Sequence, residues 1–440
     1  MSLVFFKFLL LFLWTPWIRA APSIQKRSFK VDRVRNPNFI RHGPTELLRT
    51  YRKYRMPIPQ GLLDSVGDQP EGGVVAEPVR LAAPKTPHLK QSAAAGGDAV
   101  VGLVSATPAN QGIEYISPIL VGRQTINVAL DSGSADLWVF SSRLPALAKI
   151  GHQAYDPERS SSFKTIPGAN FSITYGDGTS AAGDVGTDTV DVGGATVTGQ
   201  AVQMAKAVSP AFIRDTHLSG LLGLAFSQLS TVKPVKQRTF FENVMPDLAQ
   251  PLFTANLRKG TPGAFEFGRI DSTKFTGALS WIAANTSKGF WQVSTSRVTV
   301  GNGSTRFPAS QAIVDTGTTL MLVSKQIFDG YYSHVPGAQR DIGGMMFPCN
   351  TTLPDLLIDV GGFYTARVSG AHVNFAKANG DRRPESFPFC RLMLTIRLLV
   401  CFGGIQRTMS AFQVWGDVFF HSQFVVFHGG NHSVGMAAHV

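Results

Sequence analysis

Two stretches of the chain set a carboxylate where burial is expensive. "VALDSGSADLWVF" (Val128 to Phe140) and "AIVDTGTTLMLV" (Gln311's neighbour Ala312 to Val323) each run from apolar residues into Asp, then hydroxyl-Gly-hydroxyl, then back into apolar residues. A single D-[ST]-G-[ST] is most simply a turn, since Asp, Ser and Gly are turn residues. Two copies with matching flanks read instead as one unit repeated, with Asp131 and Asp315 as its active members. Two carboxylates brought within a few ångströms cannot both ionise cheaply, so they share a proton and titrate as a pair. One is then a base and the other an acid. A water held between them loses a proton to the ionised carboxylate while the protonated one donates to a carbonyl oxygen under attack, with no covalent adduct to the protein.

Such chemistry needs elements that hold the two loops. Each Asp has a later partner of the form apolar-apolar-Gly: Leu221-Leu222-Gly223 in "GLLGLAF" and Val414-Trp415-Gly416 in "VWGDVFF". A glycine inside a strand pattern marks a close backbone approach, so each Asp is expected on a loop pinned by a neighbouring strand. A third element, "SITYGDGTSAAG", carries Tyr175-Gly176-Asp177-Gly178, a strong hairpin signal that by itself is also an ordinary β-turn. From about Tyr115 onward, short β-branched and apolar runs are punctuated by Gly, Ser, Asp and Pro, which predicts an all-β protein. At 440 residues and 44% hydrophobic, the chain is long enough for one large domain or two moderate ones.

The net charge of +12 would suggest nucleic acid or an anionic surface if it were spread over the fold. It is not. Ten Lys/Arg stand against Asp32 and Glu46 between Pro22 and Gln60. The basic stretch is separate from the β-rich region and lacks interleaved aromatic platforms, which excludes a nucleic-acid partner. Residues 1–20, with an apolar core from Phe8 to Trp14, Pro16 and Ala20 at a cleavage point, read as a secretory signal. Residues 21–97 read as a basic propeptide and linker. Within them Leu47, Leu48, Tyr51 and Tyr54 recur at helical spacing before Pro57 and Pro59, and Gly, Pro and Ala dominate from Gly61 to Gly97, a composition with little order of its own. No later run is long enough for a membrane helix, so the mature form is expected without a membrane, extracellular or vacuolar.

With these motifs in order, the chain resembles a secreted pepsin-like aspartic endopeptidase, closest to the fungal penicillopepsin and aspergillopepsin group. The likeness runs from Glu114 to the C-terminus and includes "GFWQV" and "EFGRIDSTKFTG" outside the active-site motifs. The resemblance implies two pseudo-symmetric β lobes, 98–250 and 251–440, with a peptide-binding cleft between them. It implies that Asp131 and Asp315 are the catalytic pair, a pair that is itself the standard illustration of the shared-proton coupling above. Ser134 and Thr318 would bond their outer oxygens, and Ser132 and Thr316 would lock the loops together. Ser132 stands where the family more often has Thr, and the hydroxyl is kept. Tyr175, Gly176 and Asp177 would form the substrate-covering flap, Tyr175 packing on Trp138, and Asp177 could meet a basic substrate side chain. Lys53, followed by Tyr54, resembles the Lys-Tyr of relatives that lies across the catalytic pair in the zymogen, and Cys349 and Cys401 match a disulfide of the second lobe.

No cofactor and no metal are expected. The chain has no G-x-S-x-G, no H-E-x-x-H and no P-loop, its three Cys are scattered, and His421, His428, His432 and His439 read as solvated surface. Protein and peptide substrates, and a monomer, are expected. Five N-x-Ser/Thr sequences, at Asn170, Asn285, Asn302, Asn350 and Asn431, are glycan candidates wherever they are exposed. The stretch "RRPESFPFCRLMLTIRLLV", Arg382 to Val400, fits nothing around it: it is basic and apolar, without strand alternation, and carries the odd Cys390. It reads as an insertion or as translated intron sequence, the latter favoured because family-like sequence resumes abruptly at Cys401. The rival to an enzyme is a catalytically inactive homologue that binds peptides or a protein partner; both Asp residues, both supporting hydroxyls and Tyr175 are present, which argues against it.

Overall fold

A computed structural model of the protein describes residues 27–32, 34–35, 41–66, 115–174, 180–300, 303–378 and 399–440. The signal at 1–20, the flap residues Tyr175, Gly176 and Asp177, Asn302, Cys390 and nearly all of the 382–400 stretch lie outside the described residues.

The alternating apolar runs become strands, as expected, and the architecture is all-β in two lobes. The first lobe is built on an eight-stranded sheet drawn from residues 34–35 and 115–223, and the second on a seven-stranded sheet from residues 292–415. A six-stranded sheet gathers chain from far apart: Phe29–Asp32, Ala264–Phe267, Leu252–Asn256, Gln423–His428, Ser433–His439 and Phe275–Ala283. Its aromatic face is dense, with Phe253 stacked on Phe427 at 4.6 Å and Trp291 5.3 Å from Phe427. Trp291 also reaches the first lobe, donating its indole N–H to the Leu224 carbonyl at 3.1 Å and packing 4.5 Å from Phe226. One buried ring thereby ties the two lobes through both area and a satisfied donor.

The basic N-terminal segment is folded onto this body. Phe29–Asp32 pairs antiparallel with Ala264–Phe267, and a helix, α1 (Gly43–Lys53), follows with Pro44 in its first turn, where a missing N–H costs nothing. Leu47, Leu48, Tyr51 and Tyr54 are buried, the stripe read at helical spacing. The linker expectation needs a correction at its start: Gln60–Val66 form a second helix, α2, because Leu62 finds a buried place (1% exposed) that composition alone does not reveal.

Three further expectations meet the structure. Cys349 and Cys401 are joined, across 52 residues, in the four-stranded sheet of the second lobe. Val400, counted in the odd stretch, opens the strand Val400–Gly403 that pairs with Gly344–Pro348, and Leu399 before it accepts from Cys349 N at 2.8 Å, so both belong to the second lobe. The histidines are not all solvated: His421, which caps helix Asp417–Phe420, is buried at 6% exposed, and His439, at the end of the strand Ser433–His439, bonds the Phe420 carbonyl through a ring nitrogen. Asn170, Asn285, Asn350 and Asn431 are exposed. No helix among the described residues is long and apolar enough to cross a membrane.

Candidate active site

Each Asp ends a strand whose next neighbour in space is the apolar-apolar-Gly element. Gln124–Asp131 runs parallel to Gly220–Gly223, Asp131 opposite Gly223, and Gly220–Gly223 also pairs antiparallel with Leu137–Phe140, the strand leaving the loop. The second lobe repeats this: Gly303–Val314 runs parallel to Gln413–Trp415, which pairs antiparallel with Met321–Val323. Each loop therefore straddles a third strand. The glycines are required by space, because a Cβ on Gly223 would lie 2.6 Å from Ala135 backbone and one on Gly416 2.2 Å from the Thr318 carbonyl. Any side chain would push the Asp loop off the strand that pins it.

The two loops meet and lock. Ser132 Oγ donates to the Val314 carbonyl (2.9 Å) and accepts from Thr316 N (2.9 Å); Thr316 Oγ1 donates to the Leu130 carbonyl (2.9 Å) and accepts from Ser132 N (3.0 Å). All of these groups are buried, so each hydroxyl satisfies one donor and one acceptor that water cannot reach. This arrangement brings Asp131 and Asp315, 1% and 0% exposed, face to face. Gly133 N donates to Asp131 Oδ1 at 2.8 Å and Ser134 Oγ to Oδ2 at 2.6 Å. Gly317 N donates to Asp315 Oδ1 at 3.0 Å, and Thr318 Oγ1 donates to Oδ2. Each glycine lies beneath the opposite carboxylate: a Cβ on Gly133 would sit 2.4 Å from Asp315 Oδ1, and one on Gly317 2.3 Å from Asp131 Oδ1.

A third party stands over the pair. Lys53, at the end of α1, donates from Nζ to Asp131 Oδ1 (2.8 Å) and to both oxygens of Asp315 (3.1 and 2.9 Å). Tyr54 OH donates to Asp315 Oδ2 at 2.7 Å, its ring 5.7 Å from Phe290 and 5.7 Å from Phe412. Burial alone would lower the Lys53 ammonium, but the two carboxylates more than reverse that and hold it protonated. The carboxylates themselves are driven apart. Burial, reinforced by the neighbouring Asp315, pushes Asp131 up to about 6 despite Lys53. Burial would raise Asp315 too, but Lys53 and the bonds from Asp131 and Thr318 hold it well below the usual carboxylate range. Desolvation and Asp315 push the Tyr54 phenol well above its ordinary value, so it remains a donor.

The structure thus brings together Asp131, Ser132, Ser134, Asp315, Thr316, Thr318 and Lys53, while Trp138 is fully buried on the strand leaving the first loop. Sequence reasoning missed the amides of Gly133 and Gly317, though the shared D-x-G spacing was the signal for them. It also missed two further attachments of α1: Thr319 Oγ1 donates to buried Glu46 at 3.0 Å, and Tyr51 OH to the Arg407 carbonyl at 2.5 Å. Nothing in the local sequence points to those partners, which lie 273 and 356 residues away. No group of three or more His, Cys, Asp or Glu among the described residues is placed to hold a metal ion.

Comparison with known proteins agrees with this geometry. A family model for eukaryotic aspartyl protease matches residues 114–439. The chain is 40% identical to the aspartic protease PEP3 of Coccidioides posadasii, over 94% of this chain and 90% of that one. It is 38% identical to endothiapepsin of Cryphonectria parasitica (94% and 90%) and 43% identical to penicillopepsin-1 of Penicillium janthinellum (77% and 99%).

Proposed function

The chain belongs to the eukaryotic aspartyl protease family, and from that premise we propose that it is the precursor of a secreted, acid-acting aspartic endopeptidase. In this reading Asp131 and Asp315 activate a water between them and hydrolyse internal peptide bonds of proteins, with residues 1–20 as signal and 21–97 as prosegment and linker. The observation that carries it is the pair of buried carboxylates held face to face by the Ser132–Thr316 lock, close enough for one ammonium to bridge both, the arrangement in which two acids share a proton. Ser134, Thr318 and the amides of Gly133 and Gly317 orient the oxygens, and the Ser132–Thr316 lock fixes the distance between loops. By the family resemblance, the Tyr175-Gly176-Asp177 motif would cover an extended substrate and exclude bulk water.

In the precursor, Lys53 Nζ fills the place between the two carboxylates where this reading puts the attacking water, and Tyr54 OH takes up an oxygen of Asp315. The sign of the pH response follows from the shifts. Asp131 is raised, so its protonation as pH falls through about 6 is favourable inside the protein, and it strips Lys53 of one of its two anionic partners. Asp315 is depressed, so its stabilising contribution is present above the ordinary carboxylate value and is lost only as pH falls through its lower folded value. Lys53 is raised, and its contribution is lost only in strong alkali. Inhibition therefore weakens in two steps on acidification and is not relieved by mild alkali.

The test is to acidify the purified precursor and follow casein cleavage with and without pepstatin. Pepstatin-sensitive activity that appears only after acidification is expected. Its absence would move the protein to the rival reading, an inactive homologue that binds peptides.

A further inference from the structure

Lys53 is one end of α1, and the other end rests on a different part of the second lobe. Gly43 lies at that end, about 15 Å from Lys53 along the helix. It sits over the ring of Phe402: a Cβ there would fall 2.1 Å from Cγ and 2.3 and 2.4 Å from the two Cδ atoms. The far edge of the same ring meets Gly344, whose φ is +133° and whose Cβ would fall 2.7 Å from Cε2. One phenyl ring is thus slotted between two positions without side chains, one in the basic N-terminal segment and one in the lobe. Phe402 is 1% exposed, and its ring centroid is 6.4 Å from that of Phe375. Arg41, just before α1, closes the side: its guanidinium lies 4.9 Å over the Phe375 ring, and Nη1 donates to the Phe375 carbonyl at 3.0 Å.

Around this slot the contact continues. A Cβ on Gly343 would fall 2.8 Å from Pro44 of α1, and one on Gly61 of α2 would fall 2.5 Å from Ile342, so both helices press on the turn at 341–344. The slot is also braced from behind. Phe402 follows Cys401, which is paired opposite Phe347 and bonded to Cys349, so the strand that carries the ring is held covalently to the strand that carries Gly344. The charged and titratable groups on the surrounding elements are Arg41 and His42 before α1, Glu46 and Arg49 within it, Asp64 on α2, and Arg340 and Asp341 at the turn. Lys259, bonded to the Asn374 carbonyl, Lys377 on the strand of Phe375, and Arg407 complete the set. A phenyl ring between two glycines carries no charge that acid can change.

We propose that this seat, Phe402 between Gly43 and Gly344, is a second inhibitory contact of the precursor, separate from the dyad: acid loosens Lys53, and the seat sets how readily the whole of α1 lifts away. The two contacts have different signatures. A weaker seat multiplies the open fraction by one factor at every pH, whereas loss of Lys53 removes a step that acid controls. The inference rests on the precursor reading above for its activation readout alone.

The test is Gly43→Ala in the full-length precursor. Alanine is the better helix former, so propensity alone tightens α1, and only the seat makes the substitution loosen it. Overpacking against a buried ring is expected to quicken amide hydrogen exchange across residues 43–53 roughly tenfold to a hundredfold at about pH 7, before activation. Phe402→Ala empties the slot and is expected to cancel the further effect of Gly43→Ala, the coupling that residues in contact show in a double-mutant cycle. On the neutral side of the activation midpoint, the logarithm of the activation rate of Gly43→Ala runs above the parent's and parallel to it, while Lys53→Ala changes the slope. Unchanged or slower exchange in Gly43→Ala would overturn the proposal, as would an effect of equal size with Phe402 removed, or a changed slope. Phe402→Leu leaves α1 itself unaltered and decides the matter if Gly43→Ala does not fold: exchange across 43–53 at the parent's rate would overturn the seat, and faster exchange supports it. An inactive protein with Gly43 and Phe402 coupled would reject the protease reading and leave the seat standing, whereas an active one without the coupling would reject the seat alone.

Discussion

The loops at Asp131 and Asp315 follow one plan and end in different electrical circumstances. Each has an Asp at a strand end, an amide two residues on bonded to Oδ1, a hydroxyl three residues on bonded to Oδ2, and a third strand beneath ending in glycine. The hydroxyl lock between them is reciprocal, bond for bond. What breaks the symmetry comes from outside both loops. Lys53 gives Asp131 one contact and Asp315 two, and Tyr54 donates to Asp315 alone. The carboxylate with more donors is held ionised, and the other is pushed up by burial and by its neighbour. Duplicated local structure thus supplies the pair, and with segment 27–66 docked, non-local contacts give its two members different charge states.

The sharpest way to break this comparison is to neutralise one side. Asp131→Asn and Asp315→Asn are each expected to cut casein hydrolysis by more than about a thousandfold with the fold intact, because neither acid nor base alone completes the proton transfers. Substantial turnover by either variant would mean the two loops are not a functional pair. Removing the asymmetric partner comes next. Lys53→Ala leaves two buried carboxylates facing each other, and breaking a buried ion pair in this way costs about 3–5 kcal/mol. Segment 27–66 should dock less well, and the pH at which the precursor becomes active should move upward. An unchanged activation midpoint would show that Lys53 does not hold the precursor inactive.

The lobes also differ in covalent bracing. Replacing Cys349 and Cys401 by Ser opens a closure of 52 residues and is expected to cost about 2–4 kcal/mol, read as a lower calorimetric melting temperature that reductant no longer changes. Smallest is the test of the symmetric part. Ser132→Ala and Thr316→Val each strand a buried amide and a buried carbonyl, at about 1–3 kcal/mol apiece, whereas Thr316→Ser keeps both bonds and should be nearly neutral. If Ser132→Ala and Thr316→Val differed by more than that range in chemical denaturation, the lock would not be the reciprocal device its distances describe.

Much of the site was legible because its parts are local. Asp131, Ser132 and Ser134 lie within four residues, as do Asp315, Thr316 and Thr318, and the D-x-G spacing alone puts an amide within reach of each carboxylate. The α1 stripe of Leu47, Leu48, Tyr51 and Tyr54 was legible for the same reason, since helical spacing is a local property. Helix α2 was not, because Gln60–Val66 is held by the burial of Leu62 rather than by any pattern in a Gly- and Pro-rich stretch. His421 and His439 are not legible as partnered groups in a His-rich tail, because the helix end that buries one and the Phe420 carbonyl that bonds the other are set by tertiary packing.

By itself the sequence determined which residues are repeated, which apolar runs become strands, and that Asp131 and Asp315 each sit on a glycine-bounded loop. Those features depend on spacing, and spacing is written in the chain. Only the tertiary structure decided that the carboxylates share Lys53, that Tyr54 serves one of them and not the other, and that Glu46 reaches Thr319. Each of these is a contact between segments tens to hundreds of residues apart. The charge state of a buried group depends on which such contacts surround it, and no local pattern encodes that.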